Sequence, residues 1–251
     1  MVPIQQTKIE LSYIMPVFFN QKDTKVLTDL LEAYSKIHPN ILRRIQFVIV
    51  DDCSPIEVKI PNHIHINYQL YRIKNNIRWN QGGARNLGVT CAISPKIILS
   101  DCDHFFPEKL LAQILDSKIP QKNLYKFKRV DTTGHSLQSP CNIFYTSKAI
   151  FFSTLGYDEE FCGNYGYEDV MFRHFQEIIG NRLKYFTRFK KIISNTIDRE
   201  NSYHSLTRET SVNLDLMEKK MKLLKGKNPF YAHSRLFLNF EYEKKEENWI
   251  E

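Results

Sequence analysis

The sequence predicts an α/β fold: a mostly parallel central sheet flanked by helices. Three observations point there. Apolar, strand-like runs alternate with segments of helical period through the first half of the chain, the order that builds a parallel sheet covered on both faces. Two of those runs end on paired acids, Asp51-Asp52 and Asp101-Cys102-Asp103, and in such sheets ligands collect beyond the carboxyl ends of the strands. The chain has 251 residues, 42% hydrophobic and 25% charged, which is enough to bury a sizeable core and ordinary for a soluble globular protein.

Leu11 to Phe19 is an apolar run that opens the fold. Thr24 to Ile37 places Val26, Leu27, Leu30, Leu31, Tyr34 and Ile37 at helical spacing, and His38-Pro39 ends it. Ile45 to Val50 is a short buried-type strand, and Ile64 to Ile73 reads as another. Gly82 to Ile93 reads as a helix, Lys96 to Ser100 as a strand, and Pro107 to Leu115 as a helix with proline near its start. The second half changes character. Tyr125 to Val130 and Asn142 to Tyr145 look like strands, Glu168 to Ile179 like a helix, and Arg182 to Ile193 holds one or two strands. Ser211 to Leu224 is a basic amphipathic helix. The charged tail from Glu241 reads as frayed, with Trp249 and Ile250 able to dock. A soft boundary near residue 120 divides one continuous domain into a first half, 1–120, and a second, 121–251.

The net charge of +7 attracts polyanions without choosing among nucleic acid, anionic lipid and phosphorylated substrates. Five cysteines with no zinc spacing predict free thiols in a reducing compartment. No stretch approaches the ~18 apolar residues of a membrane span, and the polar segment Met1 to Glu10 is no secretory signal. The expectation is a soluble, cytoplasmic protein.

Asp101 and Asp103, two positions apart after a buried strand, can together hold a hard divalent cation that neutralises a diphosphate. An acidic loop capping the helix at Pro107 has the same sequence. Asp51 and Asp52 at the end of their strand can accept from a base N–H or a ribose hydroxyl, although Asp-Asp-Cys-Ser-Pro is also turn-rich. Asn80 to Gly88 opens a helix: Gly83 and its neighbours let backbone approach a ligand, and Arg85 can meet phosphate. The segment is neither a dinucleotide fingerprint nor a P-loop. Glu168 and Asp169 open a helix whose dipole favours their ionised forms, and one facing a cleft can act as general base. Plain helix N-terminal charge looks identical. His204 lies in a polar stretch where a neutral imidazole can complete a metal site. His104 adjoins the Asp-x-Asp but is expected to point away from it.

Taken in order, these blocks resemble the inverting GT-A glycosyltransferases of the family 2 type: strand-Asp-Asp, Gly-Gly-Ala-Arg-Asn-Leu-Gly, strand-Asp-x-Asp, Gly156-Tyr157-Asp158-Glu159, then Gly166-Tyr167-Glu168-Asp169 before a helix. The second half is similar to the galactosyltransferase-type C-terminal region of some members and of chondroitin-type synthases. The resemblance covers roughly Leu11 to Arg208. It implies a GT-A, Rossmann-like nucleotide-diphospho-sugar transferase fold. Pro16 and Val17 would line the nucleotide pocket, Asp52 or Asp51 would meet uracil or ribose, and Gly83 and Arg85 would lie near the donor. Asp103 would bind Mn2+ or Mg2+, with Asp101 helping through the ribose or a water. Cys102 is carried along inside that motif. Asp169 matches the catalytic base and Glu168 the neighbouring acceptor-site carboxylate. His204 matches a late metal-binding histidine in position. The usual small residue before Glu-Asp is replaced by Tyr167, which with Gly166 would shape the acceptor pocket or stack on a sugar.

The implied activity is a metal-dependent hexosyltransferase. It would move a hexose or N-acetylhexosamine, galactose or N-acetylgalactosamine by analogy, from a UDP-sugar to a glycan or lipid-linked acceptor in surface polysaccharide synthesis. Arg182 to Lys191 holds five basic residues and Lys219 to Lys227 five lysines, which would allow peripheral contact with the anionic inner face of the cytoplasmic membrane. Two rivals remain. A sugar nucleotidyltransferase would carry a glycine-rich loop after the first strand, and Pro16 to Gln21 has none. A non-enzymatic polyanion binder explains the charge but not acids at two strand ends, which repel phosphate unless a metal intervenes, so no nucleic acid is expected.

Overall fold

A computed structural model describes residues 8–187, 190–195 and 204–250. Met1 to Thr7 of the polar N-terminal segment, Arg188 of the first basic run and Tyr203 beside His204 lie outside the described residues.

Strand β1 (Leu11–Val17) is buried along its whole length, because both faces of the sheet are covered. Tyr13, Met15 and Val17 join one core cluster, and Ile14 joins the other. Helix α1 (Lys25–Ser35) lays Leu27, Leu30, Leu31 and Tyr34 on the first core. The short α2 (Pro39–Leu42) follows, with His38 accepting from the Asn40 amide. Then come β2 (Ile45–Asp51), β3 (Asn67–Ile73), α3 (Gln81–Cys91) and β4 (Lys96–Leu99). Strands β1 and β2, β2 and β3, and β1 and β4 pair in parallel. The spatial order β3-β2-β1-β4 therefore reverses at β1/β4, and a crevice opens at the carboxyl ends of strands at such a switch point. Helix α3 lies close over β1: a Cβ at Gly88 would fall 2.4 Å from Ile14 Cγ2.

Beyond β4 the chain forms β5 (His104–Phe105), α4 (Glu108–Asp116), β6 (Asn123–Lys126), β7 (Lys128–Asp131), β8 (Ser136–Leu137) and β9 (Phe144–Ser147). Next are α5 (Lys148–Phe152), α6 (Glu168–Ile178), β10 (Arg182–Tyr185), β11 (Lys191–Ser194), α7 (Ser211–Leu224) and β12 (Tyr242–Asn248). The large sheet runs β10-β6-β9-β4-β1-β2-β3-β12, and a small sheet runs β5-β11-β7-β8. The run read as one strand from Tyr125 is two strands in different sheets. Phe127, fully buried between them, anchors the crossing. Arg182 to Ile193 divides in the same way.

The tail departs from expectation. It is not frayed: β12 pairs antiparallel with β3 along the sheet edge. Tyr68 and Gln69 donate to Glu246 and Glu247, and the Ile250 amide donates to Asn67 Oδ1 at 2.8 Å. An edge strand needs only one covered side, so a charged sequence serves, and its charges discourage further pairing. Trp249 stays largely exposed, while Ile250 packs on the first core. Among the described residues no helix is long and apolar enough to cross a membrane. All five cysteines are free.

Candidate active site

The crevice at the switch point is a cavity of about 730 Å³. The end of β1 supplies Pro16 and Val17 to its lining, and the loops after β2 and β4 supply Asp52, Asp101 and Asp103. The two acidic pairs thus share one rim, as strand order requires. They divide their labour. Asp51 turns away from the cavity: its carboxylate takes Arg72 at 2.5 Å and the Ser54 amide at 2.9 Å. Asp52 faces the cavity, with Asn80 Nδ2 donating to it at 3.0 Å. Burial, joined by the charge of Asp51, raises the Asp52 carboxyl to about 7.

Arg85 is the centre of the site. It stands on α3 with no exposed surface. Its guanidinium donates to Asp101 Oδ1 at 2.8 Å and to Asp169 Oδ1 at 2.5 Å, tying the Asp-x-Asp loop to the first turn of α6. Gln81, one turn earlier on α3, donates to Asp101 Oδ1 at 2.9 Å, and Asn142 donates to Oδ2 at 2.5 Å. Tyr157 donates to Asp169 Oδ1 at 2.9 Å while its ring stacks on Phe172 of α6. Burial and the charge of Asp169 hold the Tyr157 hydroxyl well above its usual range, so it stays a donor. Burial, then the same neighbouring charge, raises the Glu168 carboxyl above the usual carboxylate range. Arg85, placed near the donor by the resemblance, is engaged by two carboxylates, as a buried guanidinium needs anionic partners.

Several expectations are corrected by side-chain direction. His104 does not point away: Nδ1 lies 2.6 Å from Asp103 Oδ1, and Arg129 approaches Nε2 at 3.3 Å. Asp101, Asp103 and His104 bring ligand atoms within 4.8 Å of one another, the cluster of this kind among the described residues. His204 lines the same cavity but is not part of that cluster. Burial, then Arg208, lowers its imidazole to about 4, so it is neutral at pH 7. Cys102 points into the first core, as alternation between two acids facing the cavity demands. A Cβ at Gly83 would meet Asn80 Oδ1 at 2.2 Å and Phe240 Cε1 at 2.7 Å; its smallness serves packing. Tyr167, at φ +68°, packs on the cluster of Phe161, Met171 and Phe175 rather than lining the cavity. Gly166 supplies its carbonyl to Asn213. Asp158 and Glu159 brace the second half: Asp158 meets Lys220 of α7 at 2.6 Å, and Glu159 accepts from the Leu238 and Asn239 amides.

Two carboxylates beside an imidazole suit a divalent ion such as Mn2+ or Mg2+. Asp103, with 28% of its side chain exposed, is the open donor. Asp101 is already engaged by Arg85, Gln81 and Asn142. His104, held between Asp103 and Arg129, orients the Asp103 carboxylate.

Residues 12–245 match the profile of Glycosyl transferase family 2. The chain belongs to this family. That membership favours transfer over the nucleotidyltransferase and polyanion-binding alternatives. No curated protein sequence matches the chain. The fold is similar to that of S. aureus TarS 1-349 in complex with UDP-GlcNAc, at 14% identity and TM-score 0.58, over 89% of this chain and 69% of that one. Against the longer S. aureus TarS structure it covers 41% of that chain. It is also similar to mannosyltransferase PcManGT from Pyrobaculum calidifontis in complex with GDP-Man and Mn2+ (11% identity, TM-score 0.51, 90% and 69% covered). The catalytic domain of Drosophila beta1,4galactosyltransferase 7 in complex with xylobiose is a third (11%, 0.51, 89% and 83%). At these identities the likeness speaks for the fold, which is the GT-A, Rossmann-like fold of glycosyltransferases.

For this family 2 glycosyltransferase, sequence reading missed Gln81, Asn142, Tyr157, Trp79 and Tyr165. Gln81 precedes Arg85 by one helical turn, a signal that was available once Arg85 was singled out. Tyr157 stands inside the Gly156-Tyr157-Asp158-Glu159 block, which was its available signal; Asn142, Trp79 and Tyr165 reach the site from separate loops, and no local spacing announces them.

Proposed function

We propose that this enzyme is a metal-dependent, inverting hexosyltransferase. It moves a hexose or N-acetylhexosamine, with galactose or N-acetylgalactosamine preferred, from a UDP-sugar to a hydroxyl of a glycan or lipid-linked acceptor. One observation carries the reading: Arg85 joins Asp101, which lines the cavity with Asp52 and Asp103, to Asp169, whose side chain keeps 11% of its surface exposed. A donor-side motif and a candidate proton acceptor are thereby held in one rigid frame. Family membership supports transfer; UDP-GlcNAc with TarS and Mn2+ with the mannosyltransferase support the donor class and a cation.

In this reading the nucleotide lies against Pro16, Val17 and Asp52. Asp103, aided by Asp101 and with His204 on the same cavity wall, would hold Mn2+ or Mg2+. When bound, the cation neutralises the donor diphosphate and eases departure of the nucleotide. Arg85 compensates the charge of Asp169, which accepts the acceptor hydroxyl proton as that oxygen bonds to the anomeric carbon and the carbon–phosphate-oxygen bond breaks. UDP leaves from the opposite face, so the configuration inverts. Glu168 retains its proton to higher pH than an ordinary carboxyl and serves as a hydrogen-bond donor to the acceptor. Calorimetry with UDP, with and without Mn2+, tests the donor site: metal-dependent binding is expected, and none at saturation defeats the reading. NMR of the product tests inversion, and a retained anomeric configuration rejects the single displacement.

Peripheral membrane contact is part of the same proposal. Lys219, Lys222, Lys225 and Lys227 are exposed on and after α7, near Leu223 at 50% and Tyr231 at 70% exposure. Lys220 is withdrawn, since it pairs inward with Asp158 and Glu160. Sedimentation with anionic vesicles should show binding at low salt that high salt releases; no binding at low salt rejects it.

A further inference from the structure

The cavity contains an aromatic pair without a role in the chemistry above. Trp79 and Tyr165 both line it, with ring centroids 4.6 Å apart and planes at 51°. Both rings are half-buried. Trp79 has φ +52°, in the left-handed region where a bulky residue is an outlier that costs about 1–3 kcal/mol. Three contacts hold it there. Its Nε1 donates to the Thr207 carbonyl at 3.0 Å, the tilted Tyr165 ring packs against it, and His204 meets it edge-on at 5.1 Å. The segment that supplies His204 and Thr207 is itself tied across the cavity by Asn20, which accepts from the Ser205 amide at 2.8 Å. Arg208 follows, 6.0 Å from the Tyr165 ring centroid. A strained, preorganised aromatic surface in a polar cleft gains most when a flat apolar face covers it and edge polar groups find partners.

A pyranose is such a ligand: one face presents C–H groups, and its rim carries hydroxyls that a guanidinium can bind. Position chooses between donor and acceptor. The nucleotide end of the cavity is at the ends of β1 and β2. Tyr165 stands in the loop that runs directly into Glu168 and Asp169, where Asn213 donates to the Asn164 and Gly166 carbonyls. We propose that Trp79 and Tyr165, rimmed by Arg208, form a stacking subsite for a pyranose ring of the acceptor. This deepens, and rests on, the transferase reading above. It names the acceptor class as a cyclic sugar at the reacting end, not an acyclic polyol.

The chain has two tryptophans, so Trp249→Phe leaves Trp79 as the sole indole. In that variant, with UDP and Mn2+ present, Trp79 emission is followed during titration with methyl pyranosides of hexoses and N-acetylhexosamines, and with a hexitol as the acyclic control. A saturable change with at least one pyranoside and none with the hexitol is expected. Tyr165→Ala should weaken that binding about tenfold while UDP affinity by calorimetry stays within about twofold. Saturation-transfer NMR extends the test: Trp79→Ala loses the pyranoside contact and Trp79→Phe, which keeps a ring, retains it. Displacement of the pyranoside by UDP would assign the rings to the nucleotide and overturn the proposal. So would equal, unsaturable responses to pyranoside and hexitol. Failure with UDP binding intact sinks this subsite alone, whereas absence of UDP binding removes the donor-site reading as well.

Discussion

Asp169 and Asp103 have carboxylates of the same chemistry but different surroundings. Asp169 is paired with Arg85 and Tyr157, while Asp103 is open to the cavity beside His104. Asp169→Asn should keep UDP affinity nearly unchanged and lower transfer by about 10²–10⁴-fold, the usual worth of a positioned base. Asp103→Ala should instead weaken Mn2+-dependent UDP binding. Calorimetry beside a transfer assay separates them, and equal losses of UDP affinity would abolish this division. Asp52 makes a pH prediction. Its folded carboxyl titrates near 7 because it is buried, so between the ordinary carboxylate range and pH 7 the native state holds a proton that the unfolded chain lacks. Stability therefore falls as pH rises through that window. Asp52→Asn keeps an acceptor for Asn80 and removes the penalty. Its melting temperature should match the parent near pH 4 and exceed it at pH 8, by at most on the order of 4 kcal/mol in stability. A gap that does not grow with pH would refute the burial argument.

Helix α7 was read as a basic amphipathic face, and its ends and charge are as expected. Its attachment was not legible. Lys220 enters the interior between Asp158 and Glu160, and Asn213 caps three carbonyls of the loop before α6. Burial opposes the Asp158 charge, but His233, Lys220 and Ser234 outweigh it and hold its carboxyl below the usual range. That contribution is present above the ordinary carboxylate pKa and fades as pH falls through the folded value. Lys220→Met strands a buried carboxylate and should cost about 3–5 kcal/mol in urea unfolding at pH 7. The double variant with Asp158→Asn should recover part of this. A loss below about 1 kcal/mol would mean that α7 is held by its apolar contacts alone.

At the scale of the molecule, two cores sandwich the sheet and the edge strand β12 closes one side of it. Deleting residues 241–251 exposes the β3 edge, with the Tyr68 and Gln69 partners removed. The shortened chain should melt several degrees lower and associate with itself, since an open edge pairs with another copy. Thermal melts with size-exclusion chromatography check this; an unchanged, monomeric variant would show that β12 is dispensable cover. Net charge is a property of this scale too. Buried pairs such as Lys220–Asp158 and Arg85–Asp169 each sum to zero, so they leave the net +7 of the chain unchanged.

Strand and helix positions were legible because they depend on periodicity over a few residues. Leu11 to Val17, the α1 stripe and the α7 span all follow from local spacing. Local features, strand ends and helix starts, also singled out Asp51, Asp52, Asp101, Asp103, Glu168 and Asp169 as candidates, of which Asp52, Asp101 and Asp103 line the cavity. What joins them was not legible. The Arg85–Asp169 pair spans 84 positions, and no spacing rule reaches that far. Side-chain direction likewise depended on neighbours: His104 beside Asp103, Asp51 toward Arg72, and Tyr165 rather than Tyr167 in the cavity. The sequence by itself determined the fold class and the chemical inventory, through patterns that each segment carries alone. Only the tertiary structure decided which groups share a cavity and which are consumed in holding it together, because a buried charge or ring takes its role from partners that folding brings from distant parts of the chain.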